Sequence, residues 1–327
     1  MKAILINADR SLRWDNVPDP ICGAEDCMVK IEAAAVNRAD LMQREGKYPP
    51  PPGAPEWMGL EIAGTITQVG EEAAKKSNWK VGDKVCALLG GGGYAQFANV
   101  KYDMLMPVPE NCTMVEAAAL PEAFATAYLN LFIEGNAKAG DTLLMPGGNS
   151  GLASVTIRMA KAFGLRVITT VRGAEKKAAI ADLGADLIVD TKTENLETVL
   201  QQQLDAGMGV DIAIDCVGGE SMGKYLHCLN KGARWIMIAA LAGQLTQIDL
   251  RNIYVRHVRI IGSTLRSRDP EVKAQILAQL VEKLWPKVAT GEVRPTIFKV
   301  LPIQQAELAH DQLYKSQSTG KVVMTVV

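Results

Sequence analysis

Glycines set between a short apolar run and a helical run can bring main-chain amides close to an anion. Asp141 to Gly164, DTLLMPGGNSGLASVTIRMAKAFG, has that arrangement. Leu143, Leu144 and Met145 read as a buried strand, Gly147, Gly148 and Gly151 as a turn, and Leu152, Val155, Ile157, Met159 and Ala160 as the opening of a helix. Unpaired N–H groups at that helix start, together with the positive end of its dipole, favour a pyrophosphate without any basic side chain. Against the dinucleotide fingerprint G-x-G-x-x-G/A, the run Gly147-Gly148-Asn149-Ser150-Gly151-Leu152-Ala153 is a variant, and in isolation it reads as an ordinary Gly-rich loop. A second chemical signal follows one strand later. Binders of NAD place an acid where the second strand ends; here Val171-Arg172-Gly173 stands there, and Arg172, with Lys176 on the next turn, suits a 2′-phosphate and therefore NADPH. Lys177 reads as a surface lysine.

The elements around the glycines turn the loop into a site. An apolar strand from Leu165 to Val171, a helix from about Ala174 to Leu183, and strands at Asp186 to Val189, Val210 to Asp215 and Arg234 to Ala239 give the order β-α-β-α-β. That order predicts a doubly wound parallel sheet, which binds ligands at the carboxyl ends of its strands. From Met1 to about Ala118 the texture changes to short strands at Lys2 to Ile6, Met28 to Ile31, Ile62 to Ile66, Lys84 to Leu88 and Tyr94 to Val100, punctuated by glycines, as in a Greek-key or barrel module. A helix from Pro270 to Val288 and an apolar ending from Lys321 to Val327 are expected to return to this first domain. The reading is an α/β chain with a β-rich domain over 1–120, a nucleotide-binding domain over 121–262 and a returning segment over 263–327.

A length of 327 residues suits two domains, and with 48% hydrophobic residues there is material for two cores. The formal net charge of −1 and the scarcity of aromatics give no electrostatic or stacking reason to bind nucleic acid or an anionic membrane. No charged-then-apolar leader and no membrane-length apolar run are seen, so the expected compartment is the cytoplasm. Six cysteines, Cys22, Cys27, Cys86, Cys112, Cys216 and Cys228, lack a C-x-x-C pair and read as reduced thiols, with Cys216 expected inside a buried strand. His227, His257 and His310 are far apart and none pairs with a cysteine at zinc spacing.

Nearly end to end, the chain resembles the zinc-free quinone oxidoreductases of the medium-chain dehydrogenase/reductase superfamily. The motifs that carry the resemblance are Asn37-Arg-Ala-Asp-Leu-Met-Gln-Arg44, Gly59-Leu-Glu-Ile-Ala-Gly64 with Gly70, the glycine turn, Asp215-Cys-Val-Gly-Gly219 and Leu265-Arg-Ser-Arg-Asp269. The resemblance implies a GroES-like β-rich catalytic domain and a Rossmann domain. In zinc-dependent members a cysteine and a histidine bind the metal at positions matching Asn37 and Leu60, and neither residue here is a strong zinc ligand, so no metal is expected. The glycine turn departs from the common A-G-x-S-G-V-G by carrying Pro146, and Thr191 stands where relatives often have a tyrosine beside the adenine.

The resemblance also implies the site. Asn37, Tyr48, Thr126 and the Leu265-Arg266 segment would converge at the nicotinamide. Gly148, Asn149, Ser150, Gly151, Leu152, Ala153, Arg172, Gly173, Lys176, Thr191, Cys216, Val217, Ala240, Leu241, Leu265, Arg266 and Lys321 would serve the cofactor. Tyr48, before the stiff Pro49 to Pro52 run, either donates a proton or lines the pocket; Lys321 reaches a phosphate or only water; Glu61 is a paired carboxylate; Asp40 braces a helix from Asp40 to Glu45. The implied reaction is hydride transfer from NADPH to a quinone, with an enoyl or alkenal double-bond reductase and a non-catalytic NADPH-binding protein as alternatives. A homodimer is expected, formed by the Arg234 to Ala242 region extending a sheet across a two-fold axis.

Overall fold

The computed structural model describes residues 1–315 and 318–326. Contacts divide the chain into one unit of Met1–Ala125 with Arg266–Val327 and a second of Thr126–Leu265. In chain order the strands of the first unit are β1 (Lys2–Ile6), β2 (Leu12–Asn16), β3 (Asp26–Ala35), β4 (Glu61–Val69), β5 (Lys84–Leu88), β6 (Phe97–Lys101) and β7 (Leu105–Pro107). The second unit supplies β8 (Thr142–Met145), β9 (Arg166–Val171), β10 (Leu187–Asp190), β11 (Val210–Asp215), β12 (Leu229–Met237) and β13 (Arg259–Gly262). The chain then returns with β14 (Ile297–Pro302) and β15 (Lys321–Thr325). Val327, the last residue of the expected terminal strand, lies outside the described residues. Among those described, no helix is long and apolar enough to cross a membrane.

The first unit is built on a seven-stranded sheet ordered β14-β15-β3-β4-β5-β7, with β6 also paired to β3. Strand β3 can serve so many neighbours because it is ten residues long and buried along most of its length: Asp26 to Lys30 pair with β6, and Ala33 to Ala35 pair with β15. Strands β2, β7 and β14 are absent from the sequence expectation because they lack an apolar alternation. The residues of β14, for example, are mostly exposed, and the ladder to β15 holds them extended.

In the second unit the expected parallel sheet is present, ordered β10-β9-β8-β11-β12-β13, with β8 central beside the helix Gly151–Ala162. Leu144, Ile168, Ala213 and Trp235 from four adjacent strands share one core with Leu200 and Leu226. Two expectations are corrected. Cys216 is the first residue beyond β11 and is partly exposed, because Asp215 ends the ladder. Strand β12 cannot extend the sheet toward a second copy, since it is bonded to β11 on one side and β13 on the other; the edge strands are β10 and β13.

Asp215 explains how the loop after β11 is held. Its buried carboxylate accepts from the amides of Val217 at 2.7 Å and Gly218 at 3.1 Å with one oxygen, and from Trp235 Nε1 at 3.2 Å with the other. The bent loop, with Gly218 at φ +65° and Gly219 at φ +62°, then receives the 240–243 segment through Ala242 N–H to Val217 O and Gly219 N–H to Gly243 O, both 2.7 Å. Replacing Asp215 with Ala strands three donors, so urea denaturation should show a loss of about 3 kcal/mol in unfolding free energy. An Asp215→Ala protein with the wild-type midpoint and slope would contradict this account.

Candidate active site

The glycine turn of the second unit is shaped as the sequence implies, but its amides are shared out differently. Gly147 adopts φ +72°, and a side chain at Gly148 would lie 2.5 Å from Thr169 Oγ1, so each glycine has a distinct steric reason. The amides of Gly147 and Gly148 are spent on Thr170, on its Oγ1 at 3.2 Å and its carbonyl at 2.8 Å. Gly148 is therefore a packing position and not an anion donor. Ser150 is the N-cap of the following helix and takes the buried Ala153 amide at 3.1 Å. Gly151 and Leu152, the first two helical residues, keep amides that helix geometry leaves for a ligand.

Beyond the turn, at the carboxyl ends of β9, β11 and β12, lies a cavity of 660 Å³ lined by residues that include Arg172, Val217, Gly218, Lys224, Tyr225 and Leu245. Arg172 is exposed, and Gly173 after it turns with φ +106°. Lys224, which the sequence does not single out, also lines this cavity, with its ammonium 3.9 Å from Glu197. Lys176 is not among the lining residues, while Lys177 pairs with Glu194 at 3.0 Å. Thr191 is exposed and turns its hydroxyl to Val171 O at 3.1 Å, Ala240 and Leu241 sit in the segment laced to the Cys216-Val217 loop, and Leu265 is buried. Thr126 gives its carbonyl to Asn130 Nδ2 at 2.7 Å.

The first unit gathers its charged groups around one buried ion pair. Lys321 Nζ lies 2.5 Å from Glu61 Oε1 and 2.7 Å from Asn37 Oδ1, while Asn37 Nδ2 donates to Glu61 Oε1 at 2.9 Å. Lys321 is 4% exposed and Glu61 fully buried, which corrects the assignment of Lys321 to the cofactor: its ammonium is consumed inside the unit. The other oxygen of Glu61 accepts the Glu122 amide at 2.9 Å. Next to this pair, Asp40 in the Arg38–Arg44 helix accepts from the amides of Asn37 at 2.8 Å and Gly59 at 3.1 Å and from the Tyr94 hydroxyl at 3.0 Å. Burial outweighs those bonds and pushes the Asp40 carboxyl up to about 6. His310 stacks edge-on against Tyr94, and burial drives it down to about 3, so the ring is neutral.

Tyr48 meets Arg266, whose guanidinium carbon is 4.9 Å from the ring centre. That guanidinium is buried and bound to the Gly90 carbonyl at 2.7 Å, Gln43 Oε1 at 2.8 Å and the Tyr48 carbonyl at 3.3 Å. Arg266, expected on the cofactor, has its N–H groups tied to its own unit and acts as a brace for Tyr48. Burial raises the phenol of Tyr48, which keeps its proton at neutral pH. Sequence reasoning passed over Gln43, Tyr94 and Glu122, each of which is ordinary in sequence and informative only through its neighbours.

The ion pair also decides the fit of a metal. Leu60, at one zinc-matching position, is buried and offers no donor, and Asn37, at the other, already holds the Lys321 ammonium. Among the described residues no three His, Cys, Asp or Glu side chains group to hold an ion, and a divalent cation at Asn37 would face that ammonium. These residues do not fit zinc. Lys321→Met should cost about 3–5 kcal/mol in urea denaturation by leaving Glu61 buried and unpaired, and adding Glu61→Gln should return part of it. Equal stability of the single and double variants would refute the pairing.

Comparisons with known proteins cover most of the chain. Residues 23–110 match the alcohol dehydrogenase GroES-like domain model and residues 151–283 the model described as zinc-binding dehydrogenase. The quinone oxidoreductase of Mus musculus is 30% identical over 93% of this chain and 90% of its own length. A mycobacterial quinone oxidoreductase of solved structure is 26% identical, with 99% of each chain covered and a TM-score of 0.85. A mycobacterial protein solved in complex with NADPH, also 26% identical with 99% of each chain covered, has a TM-score of 0.86. With a parallel-sheet unit, a GroES-like unit and this likeness over nearly its whole length, the chain belongs to the quinone oxidoreductases of the medium-chain dehydrogenase/reductase family and is an oxidoreductase.

Proposed function

We propose that the protein reduces quinones and related electron-poor conjugated acceptors with NADPH, and does so without a metal. The observation that carries the reading is the cavity at the carboxyl ends of the parallel strands, where Arg172 and Lys224 supply two cations beyond a glycine turn and a capped helix start. Gly151 and Leu152 are the amide donors for the diphosphate. Arg172 and Lys224 are the partners of a 2′-phosphate, which NADH lacks. The relative solved with NADPH supports the same nucleotide. When bound, NADPH supplies a hydride from C4 of its dihydronicotinamide.

On the acceptor side, Tyr48 presents a flat ring and a protonated hydroxyl, fixed by Arg266 from behind. A planar quinone suits such a face, and its carbonyls need less polarisation than an isolated ketone, so a chain whose charged cluster is centred on Lys321 has no need of a Lewis acid. The protein's part is to bind, orient and exclude water.

Steady-state NADPH oxidation measured against a panel of quinones and enones tests the reading: turnover with quinones is expected, and cofactor binding without turnover on any acceptor would overturn it. Arg172→Ala should weaken NADPH by about 1–3 kcal/mol in calorimetry while leaving NADH nearly unchanged, and Lys224→Ala should act in the same direction. An equal loss for both nucleotides would remove the 2′-phosphate assignment.

A further inference from the structure

Two cations line the cavity of the second unit, and the fold treats them differently. Arg172 is exposed just beyond the end of β9. Lys224, in the Ser221–Tyr225 helix, has its ammonium 3.9 Å from Glu197 Oε2 and 5.7 Å from the centre of the Tyr225 ring. Glu197 is the second residue of the Leu196–Asp205 helix, whose Asn195 cap accepts the Thr198 amide, so its carboxylate stands where the positive end of the helix dipole favours negative charge. Packing fixes it there. Leu196 and Leu200 share one buried core with Met222, Leu226 and Cys228, which holds the two helical segments side by side. The other carboxylate oxygen of Glu197 lies 3.3 Å from His227 Nε2, so the carboxylate keeps a neighbour when Lys224 turns away. Burial, followed by the charge of Glu197, raises the phenol of Tyr225, so the field of this carboxylate reaches a residue of the cavity wall.

We propose that Glu197 sets how far the cavity prefers NADPH over NADH, by competing with the 2′-phosphate for Lys224. The inference rests on the NADPH reading above and adds a residue that does not itself line the cavity. A phosphate and a carboxylate are both acceptors for the one ammonium, which sits on a flexible four-carbon stem. To bond the phosphate, Lys224 must turn from Glu197 or stand between two anions that repel each other. Either way, part of the free energy gained from the phosphate is lost. NADH has no such group, so Glu197 leaves its affinity alone. Water limits the size of the effect: the Lys224 and Glu197 side chains are 47% and 38% exposed, and pairs of that kind are worth little. The competition therefore tunes affinity and does not block binding.

Calorimetric titration of the full chain with NADPH and with NADH tests the competition. Glu197→Gln, which keeps the shape of the side chain and removes its charge, should tighten NADPH about two- to fivefold and leave the Kd for NADH unchanged. The gain should shrink at about 0.5 M salt, where exposed charges are screened. In a Lys224→Ala background the same substitution should lose most of its effect, because the ammonium that both anions seek is gone. An unchanged or weaker affinity for NADPH in Glu197→Gln would overturn the inference, since a carboxylate that merely steadied Lys224 for the phosphate would give that sign. Equal tightening of both nucleotides would overturn it too, as would a gain that survives in full without Lys224. Wild-type protein that binds NADPH no more tightly than NADH, with Lys224→Ala altering neither, would instead remove the 2′-phosphate reading on which the inference rests.

Discussion

A single buried ammonium organises the first unit. Lys321 arrives 260 residues after Glu61 in sequence and meets it where both are shut off from water. In such surroundings an unmatched charge is far more costly than a matched one is stabilising, so the pair acts chiefly as a constraint on geometry. With Glu61 fixed, Asn37 must turn its amide nitrogen to the carboxylate and its oxygen to the ammonium, and the amide at the start of the Pro121–Tyr128 helix must point at the remaining oxygen. Three separate stretches of chain are thereby registered on β4. The neighbouring Asp40, bonded by two amides and a phenol, ties the Arg38–Arg44 helix to Gly59 and Tyr94 in the same way.

This arrangement also separates roles that residue type alone would merge. Arg266 and Lys321 are both cations in a unit expected to face a phosphorylated ligand, and both are buried and committed to partners of their own. Around the cavity of the second unit Arg172 is exposed, whereas Lys224 stands 3.9 Å from Glu197 and over the Tyr225 ring. Charge available to a ligand is charge that the fold has not already used.

What the sequence made legible follows from local physics. The parallel sheet was readable because β8, β9 and β11 are short runs rich in β-branched and aliphatic residues, and the Ser150 cap and the Gly147 turn express their chemistry within a few residues. The division of the β-rich region was readable only in outline, since β2 and β14 are extended through pairing and not through a buried face of their own. For the candidate site, the structure supplies partners that the sequence does not show. Asn37, Tyr48, Arg266 and Lys321 do belong to clusters, but whether a lysine reaches solvent or a glutamate depends on a partner hundreds of positions away, which no periodicity encodes. Glu122 shows the limit most clearly: a glutamate after a proline at a helix start is unremarkable until a second carboxylate is found beside its amide.

Strand β15 lies inside its sheet, between β14 and β3, although it is assembled from residues 321–325. A chain emerging from the ribosome therefore makes β3 long before the neighbour that covers Ala33 to Ala35 exists, while all six strands of the parallel sheet are already out. During that interval the β-rich unit carries an open seam of unpaired backbone groups along β3, the kind of edge that recruits foreign strands. Vectorial synthesis thus gives the parallel-sheet half a head start and leaves Ala33 to Ala35 without their partner until residues 321–325 arrive.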